Sequence, residues 1–175
     1  MPSFVLGKIG IPLTAIRKGE TEFSFAVSDS NELEYKRSYV DSMNIQANVT
    51  LLGEDVLVKL AIDADTSLYC DRCGEKFHHK IHGDITTLFT SDPQNMEGAD
   101  GGEVRLFDNH ASELEITQEI VDALILSVPS KIICNEKCKG LCSQCGVNFN
   151  EKSCTCSHDS TDPRWDALKK LKLNQ

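Results

Sequence analysis

Apolar and polar positions alternate over much of the first ninety residues, the pattern of strands that turn one face to a core and the other to water. The segments "EFSFAVS" (22–28), "IQANVTLLG" (45–53), "VLVKLAIDADTSLYC" (56–70) and "KIHGDITTLF" (80–89) each combine β-branched or aromatic residues with a period near two. Between the second and third, Gly53-Glu54-Asp55 suits a hairpin turn. Together they predict a strongly curved antiparallel sheet. The stretch "NELEYKRSYVDS" (31–42) fits a short helix or a polar strand, and the pattern does not choose between them. Residues 91–103, "SDPQNMEGADGGE", lack apolar anchors and read as a solvated acidic loop.

The period then changes. Ile116, Ile120, Val121, Leu124, Ile125 and Val128 recur at helical spacing until Pro129 stops the pattern, so a helix near 116–128 is predicted to lay this face on the sheet. Beyond Pro129 the chain turns to cysteine, glycine and lysine. A short last helix, about 164–172, is expected after Asp162, placed to cap it, and Pro163 in its first turn. The predicted class is α+β. Residues 1–130 form a curved antiparallel β-rich body with one packed helix, and residues 131–175 a small C-terminal module resembling a zinc ribbon.

The amino terminus, "MPSFVLGKIGIPL", lacks the basic start and unbroken apolar run of a signal peptide and the Arg/Ser-rich pattern of a transit peptide. No segment offers the roughly 20 apolar residues of a membrane span. A cytoplasmic, reducing setting without membrane contact is therefore expected, where paired cysteines hold metal more often than they form disulfides. The net charge of -9 is uneven. Residues 1–130 carry 10 Lys and Arg against 22 Asp and Glu, and residues 131–175 carry 8 against 5, so any contact with a phosphate backbone belongs at the carboxy-terminal end.

Eight cysteines carry the chemistry: Cys70, Cys73, Cys134, Cys138, Cys142, Cys145, Cys154 and Cys156. A C-x-x-C turn aims two sulfurs at one point, and Cys70-Asp-Arg-Cys73 and Cys142-Ser-Gln-Cys145 are both followed by a glycine suited to the positive φ with which the chain leaves such a knuckle. Eight ligands make two structural zinc sites. The preferred partition joins Cys70 and Cys73 to Cys134 and Cys138 and leaves Cys142, Cys145, Cys154 and Cys156 as a compact ribbon. Two rivals stay open: Cys134, Cys138, Cys142 and Cys145 on one ion, or His158 in place of Cys154 or Cys156.

Other uses of these residues fit less well. A redox Cys70/Cys73 pair would sit at a helix start, whereas "GEKFHHKI" reads as a turn into a strand. A catalytic zinc keeps an open position and a nearby base, while all-cysteine sites are closed. His78, His79 and His82 lie beside the first pair on a presumed strand, where solvated or packed side chains are the rule. No nucleotide-binding glycine loop, G-x-S-x-G or H-E-x-x-H pattern occurs, and no small-molecule substrate is expected.

The order "CDRCGEKF", "ALILSVPSKIIC", "CKGLCSQCGVNFNEKSCTC", "DPRWDALKKL", from about Tyr69 to Leu171, resembles the YceD family of large ribosomal RNA subunit accumulation proteins. It departs mainly at "VPS", where an L-P pair is commoner. The resemblance implies a non-enzymatic bacterial factor in ribosome biogenesis, with relatives in plastids. Some members lack the distal ribbon yet keep the first C-x-x-C, which favours pairing Cys70 and Cys73 with Cys134 and Cys138.

Expected partners are pre-ribosomal RNA or large-subunit ribosomal proteins and assembly factors. For RNA, the candidate contacts are Lys137, Lys139, Lys152, Arg164, Lys169, Lys170 and Lys172, with Phe149 or Trp165 to stack on an unpaired base. The plainer reading of the same cations is a solvated face. Two further functions differ in kind: an acidic adaptor that recruits a basic protein without touching RNA, and a zinc- or thiol-dependent enzyme.

Overall fold

The structure, a computed structural model, describes residues 7–28, 31–33, 38–96 and 104–156. Among these residues, eight strands and one α-helix follow in chain order, with short 3-10 turns at Leu13–Ala15 and Pro93–Met96: β1 (Gly10–Pro12), β2 (Glu20–Val27), β3 (Asn31–Leu33), β4 (Ser38–Leu52), β5 (Asp55–Tyr69), β6 (Lys76–Thr90), β7 (Val104–Leu106), β8 (Glu113–Glu115) and α1 (Thr117–Ser127). The main sheet runs β2-β4-β5-β6-β7, with β3 also pairing β4.

β4, β5 and β6 are each 15 residues long and form an antiparallel meander. Alternation sets the register. Met43, Ile45, Ala47 and Val49 of β4 and Val56, Val58, Leu60 and Ile62 of β5 are all buried on one face, with Phe23 and Phe25 of β2 packed against them. The opposite face carries Asn44, Gln46, Lys59, Asp63 and Asp65, all exposed. Leu52 pairs with Asp55, so the predicted turn closes on Gly53 and Glu54 alone. The described parts of the ambiguous 31–42 stretch are strand, in β3 and the start of β4.

Two features depart from the sequence reading. β7 pairs with β6 in parallel, Leu88 with Val104 through Thr90 with Leu106, so the sheet is mixed. Parallel pairing needs a long return connection, and the 91–103 stretch supplies one. β1 pairs with β8, Ile11 opposite Leu114, burying both side chains under the sheet. Partners three residues long and about a hundred residues apart leave no periodic trace in a sequence.

α1 falls within the predicted span and lies on β5 and β6. Ile116, Ile120, Ala123 and Leu124 are fully buried. Gly83 of β6 permits this close approach, since a Cβ there would stand 2.5 Å from Ser127 Oγ and 3.0 Å from the Ala123 carbonyl oxygen. Past the helix, Val128 and Ile132 join Leu68 and Ile81 in a second apolar cluster near the β5–β6 turn, and Cys70, Cys73 and Cys138 pack beyond it with Phe77 and Ile133. The core thus grades into sulfur. Among the described residues no helix is long and apolar enough to cross a membrane.

Candidate metal centres

The six residues that join β5 to β6 are "CDRCGE". Their knuckle is fixed by backbone hydrogen bonds: Cys70 N–H donates to the Glu75 carbonyl at 2.9 Å, and Gly74 N–H to the Cys70 carbonyl at 2.8 Å. Further along the chain, Cys142 N–H donates to the Val147 carbonyl at 2.8 Å and Gly146 N–H to the Cys142 carbonyl at 2.9 Å. Gly74 and Gly146 both have φ of 72°, the left-handed conformation anticipated for the knuckle exits.

Each knuckle meets a second pair of cysteines. Cys70, Cys73, Cys134 and Cys138 form one cluster and Cys142, Cys145, Cys154 and Cys156 another, with all sulfurs of a cluster within 4.8 Å of one another. This is the preferred partition; His158 lies outside the described residues. Neighbouring sulfurs stand 3.9 Å apart for Cys70 and Cys138, 3.8 Å for Cys73 and Cys134 and 3.6 Å for Cys142 and Cys154. None of the eight cysteines is in a disulfide. The edge of a tetrahedron with metal–sulfur bonds of about 2.3 Å is about 3.8 Å, so both clusters match a four-thiolate metal site.

The ionisation of the thiols points the same way. Burial opposes the Cys70 thiolate, but N–H groups of Cys134, Cys73 and Arg72 turned to its sulfur outweigh burial and bring the thiol down to about 6. In the second cluster the N–H groups of Cys145 and Gln144 bring Cys142 down to about 6. Cys134 is exposed as a residue, yet its sulfur sits among the other three, and desolvation together with those neighbours pushes it up to about 12. The Cys145 sulfur heads the causes that push Cys156 up to about 12. Four sulfurs this close cannot all carry charge by themselves, and a cation at the centre removes the conflict.

The histidines lie elsewhere. His82 Nδ1 is 2.6 Å from Asp63 Oδ1, and His78 Nδ1 is 3.5 Å from Asp41 and 3.4 Å from Ser67 Oγ, on the exposed face of the sheet. His79 is exposed as well. Of the RNA candidates, Lys137, Lys139 and Lys152 are exposed around the clusters and Phe149 is half-buried. Arg164, Trp165, Lys169, Lys170 and Lys172, with the expected last helix, lie outside the described residues.

Residues 58–172 match the family described as "Large ribosomal RNA subunit accumulation protein YceD", about two thirds of the chain and all eight cysteines. The chain belongs to the YceD family. The match opens near the start of β5 at Val58, earlier than the Tyr69 at which the motifs begin. The large ribosomal RNA subunit accumulation protein YCED homolog 1, chloroplastic, of Arabidopsis thaliana is 25% identical over 78% of this chain and 51% of its own length. Its Zea mays counterpart of the same name is 26% identical over 86% of this chain and 59% of its own. An uncharacterized protein of Mycobacterium tuberculosis is 32% identical over 72% of this chain and 60% of its own. The chain thus spans about half to three fifths of the length of these curated relatives. No solved structure matches it.

Three residues of this YceD chain organise the clusters without being among the sequence candidates. Asp71 Oδ2 accepts from Ile132 N–H at 2.7 Å, and Asp71 N–H donates back to the Ile132 carbonyl at 2.7 Å. Arg72 Nη1 donates to the carbonyls of Cys138 at 2.9 Å and Glu136 at 3.1 Å, while its own carbonyl accepts from Leu141 N–H at 3.1 Å. The two variable positions of the first C-x-x-C therefore clamp the chain that brings Cys134 and Cys138. The third is Asn150, whose Nδ2 donates to Cys138 Sγ at 3.3 Å and helps hold that thiol below its ordinary range. Polar residues in turns gave no sign of these long-range bonds beyond their nearness to cysteine.

Proposed function

We propose that the chain is a non-enzymatic ribosome-biogenesis factor that supports accumulation or processing of large-subunit ribosomal RNA, and that two structural zinc ions order its carboxy-terminal part for contact with RNA or a ribosomal protein. The observation that carries this reading is the family match, which spans both cysteine clusters. Zinc, when bound, supplies no reaction step here: a set of four thiolates leaves no open position for water or substrate, and its work is to hold chain segments together. The ligands are Cys70, Cys73, Cys134 and Cys138 on one ion, Cys142, Cys145, Cys154 and Cys156 on the other. Residues 1–130 act as the curved scaffold and 131–175 as the contacting module, in a cytoplasmic setting.

The RNA face comprises Lys137, Lys139, Lys152, Arg164, Trp165, Lys169, Lys170 and Lys172. A hollow of about 500 Å3 beside Phe149, bordered by Lys139, Lys152 and Asn150, supports it, being wide enough for an unpaired base with cations at hand for its phosphates. The test is binding of the zinc-loaded full chain to fragments of large-subunit ribosomal RNA. Affinity should fall steeply with salt and vanish when Lys137, Lys139, Lys169, Lys170 and Lys172 are changed to Glu. Binding that persists in that variant removes this face from consideration.

One observation favours an adaptor instead: the 22 carboxylates before residue 131, matched by only 10 cations, would attract a basic ribosomal protein or processing factor. Pulldown from lysate with and without ribonuclease separates the two. Partners that survive digestion support the adaptor, and partners lost on digestion support RNA contact.

A further inference from the structure

The turn that carries Asn150 leans on the first cysteine cluster although it belongs to the loop of the second. From Cys142 the chain passes through the knuckle to Val147, whose carbonyl accepts from Cys142 N–H, and then into a tight turn organised by Asn148. The Asn148 carbonyl accepts from the N–H groups of Glu151 at 3.1 Å and Lys152 at 3.0 Å, and its Oδ1 from Asn150 N–H at 3.0 Å and Asn150 Nδ2 at 2.8 Å. That turn lies against residues 138–141. Phe149 N–H donates to the Gly140 carbonyl at 2.9 Å, Lys139 N–H to Asn150 Oδ1 at 2.8 Å, and Leu141 bridges Asn148. Residues 140 and 141 in turn rest on the first knuckle, where a Cβ on Gly140, at φ of 75°, would stand 3.0 Å from the Arg72 carbonyl oxygen.

Asn150 closes this path at a sulfur. Its Nδ2 reaches Cys138 Sγ at 3.3 Å while its Oδ1 holds the backbone one residue further on. A donor on a thiolate draws off part of its charge and fixes its direction, and partners of this kind typically change metal affinity about 10- to 100-fold. The turn that aims this donor lies between Cys145 and Cys154, inside the loop that the second cluster closes.

We infer that Asn150 is a positioning residue through which the second cysteine cluster, once it holds its metal, tightens metal binding at the first. The inference rests on the reading of both clusters as metal sites and adds that they load as a coupled pair. Loss of the second metal frees the 148–152 turn, withdraws the amide from Cys138 and weakens the first site, whose own ligands are untouched.

The test uses the reduced full chain loaded with cadmium-113, which reports each four-thiolate site as its own resonance, together with affinities from competition with a chelator. Cys154→Ser removes the second site and assigns the resonances. It should also weaken the first site about tenfold and shift its resonance. Asn150→Asp keeps the oxygen that accepts from Lys139 N–H but replaces the donor to Cys138 with a carboxylate oxygen. It should weaken the first site by a similar factor with both sites still filled. The double variant should bind cadmium at the first site no more weakly than Cys154→Ser alone, because both changes remove the same bond.

First-site affinity and resonance unchanged in Cys154→Ser overturn the coupling, as do losses that multiply in the double variant. Should Asn150→Asp disturb the turn, seen in the amide signals of residues 148–152, the response of the first site to Cys154→Ser decides alone. A wild-type chain that takes up no cadmium overturns the metal reading and the inference with it. Two ions bound with no change at the first site overturn only the coupling.

Discussion

The two knuckles share one local design and stand in different surroundings. Cys70-Asp-Arg-Cys73-Gly74 and Cys142-Ser-Gln-Cys145-Gly146 have the same pair of backbone hydrogen bonds and the same glycine φ. The first ends a hairpin of two 15-residue strands and takes its other cysteines from 61 and 68 residues away. The second finds its partners within residues 142–156, joined to its surroundings by short bonds and one isolated bridge. Identical turn chemistry thus serves two purposes. At the first knuckle the folded body already brings the segments together, through the Asp71 and Arg72 clamps and the buried Leu68 and Ile132. At the second there is almost nothing apolar, and the order there is what a bound ion would supply.

Removal of metal separates the two most sharply. Chelation under reducing conditions should raise hydrogen exchange across residues 142–156 to nearly unprotected rates, while β4, β5 and β6 stay protected, as read by mass spectrometry. Equal loss of protection in the sheet would erase the distinction. A smaller effect, confined to the first cluster, is expected of Asp71→Ala. It strips the Ile132 N–H of a charged acceptor and should cost about 2 kcal/mol in urea unfolding of the metal-loaded chain. The second cluster should keep its metal.

The mildest probe is pH. In the metal-free chain the Cys70 thiol, depressed to about 6, contributes stability that is fully present above the ordinary thiol range near about 8.5 and is lost as pH falls through about 6. The urea midpoint of the metal-free chain should therefore be higher at pH 8.5 than at pH 6. Cys70→Ser should flatten that difference. Cys142→Ser should leave it, because its segment is already loose without metal.

Much of this is legible in the order of residues alone, for physical reasons that differ by feature. β4 and β5 declare themselves because strict alternation survives only where one face is buried, and α1 because Ile116, Ile120 and Leu124 share one side of a 3.6-residue turn. The knuckles are readable because cysteine spacing and the following glycine are local. What escapes such a reading is contact between distant segments with no repeating pattern. Ile11 against Leu114, the parallel edge at β7, and the reach of Asp71, Arg72 and Asn150 across to residues 132–139 depend on where the folded sheet delivers them. In the sequence each is an ordinary residue of a short strand or turn.

Gly83 shows how far such a dependence extends. Its missing side chain lets the end of α1 settle against β6, and the same helix hands the chain on through Val128 and Ile132 to Cys134. The seat of the helix that leads on to Cys134 is therefore set by a single hydrogen atom in the middle of a strand. A methyl group there would act as a wedge, lifting the helix and with it one jaw of the site.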